Sequence, residues 1–390
     1  MVRNRILQLV LLSLLWSACT GKQNTRSTLE HAHLRQVSRI GAVEGKDALT
    51  EIMGVAAAPD GDLYVTQWQV PAVTVFGPGG SVRRTIGRGG LGPGEFTQPG
   101  AMGFLGDTLW VQDRDGVSLF TAAGRFLSEV RFRRPMRSEG LSYSPDRYMR
   151  GGVLIGQVHY PSSMATRGEL HVVPILALST EGTILDTLAE APIPRVEVVE
   201  IRTAGHDMFT RMPELAAARH AFSADGSELV VLNEQTSDAS HGELKALWLS
   251  PRGDTLSKWV QSFTPQPLRA ETKDAILKRL ASSWSGWTGI PAARIRAEAD
   301  AQIPWPQYEP SYTAVVVGAD QRLWLKRSAV GDSARWEVWS AHSGPGLEVW
   351  APRDLDIKYA DSVHVWGVRK DAMDVPFLYQ YQLVGPNGQR

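Results

Sequence analysis

Cysteine is almost absent: Cys19 is the only one in 390 residues. The chain beyond it therefore has no disulfide, no thiolate metal site and no cysteine nucleophile. An excess of either charge is missing too, with 41 Lys and Arg set against 41 Asp and Glu. Such a balance lacks the cationic surplus that displaces counterions from nucleic acid, so a general nucleic-acid binder is excluded. No apolar run is long enough to cross a bilayer, which takes about 20 residues. The sequence holds no H-E-x-x-H, no G-x-S-x-G and no S-x-x-K, which leaves serine-type and zincin hydrolysis without support.

The first 20 residues, MVRNRILQLVLLSLLWSACT, do carry a pattern. Arg3 and Arg5 precede a mainly apolar run at 6–15, and the small residues Ser17 and Ala18 precede Cys19. This resembles a bacterial lipoprotein signal, which implies a lipid on Cys19; Trp16 departs from the Leu usual at its position. A conventional secretory cleavage fits less well, because Trp16 would fill a place that wants a small side chain. The polar, aperiodic stretch 20–33 suits a flexible tether, with His31 and His33 solvated in it.

An internal repeat organises the rest. Aligning 34–65 with 82–111 matches Ile40 and Gly41 with Ile86 and Gly87, Gly54 with Gly100, and Leu63, Tyr64 and Val65 with Leu109, Trp110 and Val111. Residues 73–82 then match 117–126. Each unit is a set of short strand-like runs broken by turn chemistry such as Pro59-Asp60-Gly61-Asp62. A period of about 40–50 residues with four strands per unit marks a β-propeller blade. Looser units follow at 151–188, at 221–260, at 312–350 and at 354–384, the last with three strands only. The expected fold is all-β: a six-bladed propeller over 34–390, closed by N- and C-terminal strands, with a small helical insertion between blades four and five. The missing outer strand of the sixth blade comes from 34–41, so no raw edge is left.

IGRGGLGPGEFTQPGAM (86–102) followed by DTLWVQDRDGVSLFTAAGRFL is similar to the NHL repeat, and the whole resembles the six-bladed propeller lipoproteins of the bacterial envelope. The same stretch contains G-x-G-x-x-G at 87–92, the pattern of a dinucleotide site. Such a site needs a helix after its glycines, whereas here Pro93, Gly94, Pro99 and Gly100 follow. The glycines are read as the turn that carries one blade into the next.

Strand alternation puts the blade crossovers and the loops between second and third strands on one face. The two long insertions, 190–218 and 263–311, are both crossovers and should rise from that face, where binding usually resides. The second reads as helical over 268–282 and 291–301, with Pro291 suited to a first turn. Trp284, Trp287, Trp305 and Tyr308 could stack on a sugar or an apolar ligand, although fastening the insertion to the blade beneath is the commoner use. Trp110, Trp248, Trp324, Trp339, Trp350 and Trp366 are read as packing between blades. Polar candidates on the same face are Asp113, Arg114, Asp115, His159, His206, Asp207, Arg219, His220, Asn233, Glu234, Lys326 and Arg327. Asp113 and Asp115 resemble the opening of a calcium loop but lack its later ligands, so a hairpin turn is the plainer reading. The cluster Arg131-Phe132-Arg133-Arg134-Pro135-Met136-Arg137 is read as a solvated outer strand, with a patch for an anionic ligand or lipid headgroup as the sharper alternative.

Two functions follow. The first is a lipid-anchored binding or scaffold module of the cell envelope, expected at the outer membrane and monomeric. Its partner would be an unidentified protein, glycan or small molecule, with no cofactor, no metal and no nucleic acid. The second comes from the resemblance: some six-bladed relatives are calcium-dependent lactonases or metal-dependent lyases, which implies a hydrolase or lyase acting at the central channel. No ligand spacing of theirs is reproduced here, so no residue is carried over.

Overall fold

The structure, a computed structural model, describes residues 29–45, 47–132, 136–138, 141–159, 172–192, 198–202, 207–211, 220–303 and 305–385. The first strand described is β1 (Glu30–Ile40), whose partners come from the far end of the sequence. A first meander follows: β2 (Ile52–Ala57), β3 (Leu63–Gln67), β4 (Val70–Phe76) and β5 (Val82–Ile86). A second has β6 (Met102–Leu105), β7 (Thr108–Asp113), β8 (Gly116–Thr121) and β9 (Phe126–Arg131). The third sheet has five strands, β10 (Met136–Ser138), β11 (Leu141–Tyr148), β12 (Leu154–His159), β13 (Val172–Leu178) and β14 (Ile184–Pro192). After a hairpin of β15 (Val198–Arg202) and β16 (Asp207–Arg211) comes a fourth meander, β17 (His220–Phe222), β18 (Leu229–Thr236), β19 (Gly242–Leu249) and β20 (Thr255–Phe263).

Two helices, α1 (Ala270–Thr288) and α2 (Ala292–Gln302), lead to the last strands. These are β21 (Ala314–Val317), β22 (Leu323–Val330), β23 (Ser333–Ser340) and β24 (Gly344–Pro352), then β25 (Asp356–Ala360), β26 (His364–Lys370) and β27 (Pro376–Val384). The chain is thus mostly β with two helices, in a propeller-like arrangement. β2 lies against β6 on one side and β25 on the other, β21 lies between β17 and β25, and the third sheet touches its neighbours through β11 and β14.

The expectation of six separate blades needs correction. Four sheets are separate, but the last two meanders form one eight-stranded sheet in the order β21-β22-β23-β24-β1-β27-β26-β25. The reason is β1. It pairs antiparallel with β27 (His33 opposite Val384, Ile40 opposite Leu378) and parallel with β24 (Glu30 opposite Leu347, His33 opposite Trp350). The strand also starts four residues inside the stretch expected as tether, so His31 and His33 belong to the sheet. The third unit likewise gains an inner strand, β11, that the repeat search did not find.

Strands are strands here for two reasons. β19 buries Gly242, Leu244, Ala246 and Trp248 on alternate positions, the period of a pleated chain. β3 is buried at every position, because both faces of its sheet are covered by neighbours. Turns are set by a recurring device in which an Asp carboxylate accepts the backbone N–H two residues on. Asp60 does so for Asp62 (3.0 Å), Asp225 for Ser227 (3.1 Å) and Asp361 for Val363 (2.7 Å). The glycine-rich crossover from β5 to β6 has no helix, as its prolines required. Gly87 has φ 74° and a Cβ there would lie 2.4 Å from the Phe96 ring, while a Cβ at Gly90 would lie 1.9 Å from Glu95.

Six apolar clusters lie between successive meanders. Trp110 packs with Leu154 and Leu176 between the second and third, Trp248 with Leu323 and Trp339 between the fourth and fifth, and Trp324 and Trp336 with Ile357 beyond. Trp350 differs from the expectation: it is 38% exposed on β24, its indole N–H donating to Glu348 (3.0 Å). β1 contributes few buried side chains, Ala32 and Ile40 being the two. Ile40→Ala should therefore cost about 2–5 kcal/mol of stability, and Val37→Ala on the exposed side under about 0.5 kcal/mol. Urea unfolding followed by tryptophan fluorescence reads both.

Candidate functional site

Counting from β2, β6, β11, β17, β21 and β25, the first strand of each meander runs from the crossover face to the opposite face, here the base, and the second runs back. The ends of β7, β12, β18 and β22 and both insertions consequently open on one face. The helices form a cap with its own core, in which Leu277, Leu280, Trp284 and Ile295 are buried and Trp305 is packed at the edge. α1 ends at Gly289 in the left-handed region (φ 71°), whose N–H bonds the carbonyl of Ser285. Helix α2 packs against β15, so the two insertions meet.

The neck of the cap is zipped. Leu268 N–H donates to Gln307 O (3.1 Å) and Glu309 N–H to Gln266 O (2.8 Å), with Pro267 and Tyr308 bridged between them. Arg269 closes on Glu309 with both Nε (2.8 Å) and Nη2 (3.1 Å), and Thr272 adds a third bond (2.7 Å). Burial disfavours the Glu309 charge, but these donors outweigh it and hold the carboxyl below its ordinary range.

Below the neck, Ser311 is fixed from two sides. Its N–H and hydroxyl donate to Glu234 (3.0 and 2.9 Å), and its carbonyl accepts from Arg327 Nη1 (3.0 Å). Arg327 is buried and also donates to Glu337 (2.8 Å) and to Gln261. Glu337 is buried as well; desolvation pushes its carboxyl up, but Arg327, Arg335 and Gln261 together outweigh it, and the group stays below the usual carboxylate range.

The sequence-derived candidates that the structure describes thus share a face without converging. Glu234 and Arg327 seat the cap. Asp113 accepts from Thr97 N–H (2.8 Å) and Gln98 N–H (2.6 Å), so it pins the crossover. Arg114 and Asp115 form the turn after β7. His220 opens β17, its ring edge-on to Phe222 at 5.2 Å. Asn233 stands beside Glu234 in β18. Lys326 donates to Arg353 O (2.8 Å), and burial draws its amine below the ordinary range against the pull of Asp356 and Asp354. Trp284 and Trp305 serve the cap core and not the blade beneath; the Trp305 N–H donates to Asp300 (2.8 Å) and Lys273 Nζ lies 5.4 Å from its ring. Tyr308 belongs to the neck. Cys19, His206 and Arg219 lie outside the described residues, as do the side chains of His159, Asp207 and Trp287. Among the described residues no three His, Cys, Asp or Glu side chains come together as a metal site.

Sequence reasoning passed over an apolar set on the same face. Leu91 (76% exposed), Trp68 (50%), Val43 and Met53 stand in the loops and strand starts of the first two sheets. Trp68 N–H bonds Glu51 O (2.9 Å), and Gly89 of the next crossover abuts Pro71. The Leu91 loop is wrapped around Glu95, which accepts from Gly92 N–H (2.9 Å) and Arg88 (2.8 Å), while Arg131 bonds Leu91 O (2.9 Å). The available signal was a large apolar residue at a tight turn, where polar residues are the rule.

No family model matches the sequence, and no curated protein does. Among solved structures, regucalcin of Agrobacterium tumefaciens, a calcium-binding protein, is similar over 91% of this chain and 97% of its own, at 10% identity and a TM-score of 0.40. A PQQ-bound aldose sugar dehydrogenase from Streptomyces coelicolor covers 90% and 98% at 10% identity and 0.40. Virginiamycin B lyase from Staphylococcus aureus covers 89% and 99% at 11% and 0.35. All three are β-propeller-type proteins. With these scores below 0.5, the fold rests on the chain's own strand pairing. Among the described residues no helix is long and apolar enough to cross a membrane.

Breaking the buried pair from one side should be severe: Arg327→Met is expected to cost about 3–5 kcal/mol, with Arg327→Met/Glu337→Leu recovering much of it. Because the Glu337 pKa is depressed on folding, its contribution is complete above the unfolded value near pH 4.3 and is lost as pH falls through the lower folded one. Urea midpoints taken below about pH 4.3 should therefore fall more steeply in the wild type than in the double variant.

Proposed function

We propose that the protein is a six-bladed, NHL-like propeller lipoprotein of the cell envelope that works as a binding or scaffold module, with the insertion face as its contact surface. Six apolar clusters between successive meanders support the blade count, the eight-stranded sheet holding two blades whose outer strands have joined. The observation that carries the functional reading is that two insertions, far apart in sequence, rise from one face and touch there. Of the polar groups there, Asp113 and Glu234 are engaged by backbone N–H donors, and large apolar side chains stand exposed on the neighbouring loops. A metal-dependent lactonase-like hydrolase or lyase would instead need three or more side chains converging on an ion.

Two measurements test this. Photo-crosslinking residues placed at Trp287 on the cap and at Trp68 should yield defined envelope adducts, and one at Ser343 on the base should not. Adducts from the base alone would sink the contact-face reading. Elemental analysis of residues 20–390, with melts in chelator, should find no stoichiometric metal and no change in Tm. One calcium or transition metal per chain with a melt lowered by chelation would promote the enzyme reading.

A further inference from the structure

β1 runs from base to insertion face, as its parallel partner β24 does, so the chain enters the domain low on the base side. Glu30 stands opposite Leu347, the fourth residue of β24, about 10 Å above the base end of that strand at about 3.3 Å per residue. From Glu30 the remaining course of β24, to Pro352, rises about another 17 Å, and the cap adds the width of at least one helix, about 10 Å. The terminal strands β1 and β27 both have their outer ends, Glu30 and Val384, toward the base. Ten residues lie between Cys19 and Glu30, and the eleven steps fully extended span at most about 40 Å.

Resting on the lipid-anchored reading, we infer that the insertion face looks away from the bilayer that holds Cys19, so that its ligand is met in water and not drawn from that bilayer. The base reaches the headgroups with about 10 Å of tether, whereas laying the cap on them needs about 27 Å, roughly two-thirds of the covalent limit. Ordering the chain to that degree costs conformational entropy. Charge does not decide the matter: on the cap Arg294 and Arg296 are paired with Glu298 (2.7 Å) and Asp274 while Lys278 and Arg279 are exposed, and the base-side turns set Arg125, Arg150, Arg252 and Arg322 among more numerous carboxylates, so the preference rests on tether length.

The test uses the full-length protein, extracted with its lipid and reconstituted into phosphatidylcholine vesicles containing headgroup-labelled acceptor lipid. The native cysteine is consumed by the lipid, so Ser343→Cys on the base and Ser283→Cys on exposed α1 each accept one donor dye. Energy transfer from Ser343→Cys should exceed that from Ser283→Cys several-fold. Equal transfer, or more from the cap, would overturn the orientation while leaving the anchor intact. Protein that floats free of vesicles, with Cys19 still reactive toward maleimide, would remove the anchor and this inference with it.

Discussion

The pairing of β1 with two strands at once is the constraint on which the ring depends. Few of its side chains are buried, so its hold is mainly the backbone ladder on both edges. The two registers fix each other. With His33 set against Trp350 on one side and Val384 on the other, a slip of one residue would break both ladders and turn Ile40 out of the core. The same pairing removes two edges that would otherwise be open to other chains. It also fixes where the chain enters, and hence which face is free.

The seating of the cap is connected to that closure. From Glu234 through Ser311 to Arg327 and Glu337, each step is a direct bond, and Arg335 continues from Glu337 (3.5 Å) to Glu348 (3.4 Å). Glu348 in turn meets His31 of β1 (3.2 Å). The outer steps are half-exposed and worth little individually. The inner pair is desolvated, and there the loss of either partner strands a buried charge. A single polar path therefore runs from the foot of the cap to the strand that closes the ring.

How much of this was legible depended on the signal each element leaves. The first two meanders were plain, because Asp-Gly turns and apolar strands recur at a constant offset. β11 was hidden by Pro145 and the register shift between Pro145 and Arg147; the fold tolerates both because β11 has only three-residue β10 on its inner edge. β1 began earlier than expected since its outward side chains are His, Glu, Arg and Gln, which give no apolar alternation. Its second partner left no mark at all, for strand edges pair through backbone. The common face of the polar candidates followed from alternation, but their roles did not. Asp113 and Glu234 looked free because the sequence does not reveal which backbone N–H groups a loop leaves unpaired, and those groups claimed them.

That same demand explains what kind of surface remains. A loop that must order on binding loses affinity to entropy, so one held in advance binds at lower cost. The cap is held by its zipped neck and its own core, and the Leu91 crossover by the Glu95 carboxylate folded inside it. Gly90 is what permits the second arrangement, since any Cβ there would displace Glu95 and with it the turn. Carboxylates that accept from loop N–H groups hold these turns in place, and the apolar tips they support stay exposed. A face built in this way presents shape and apolar area on loops that are fixed in advance.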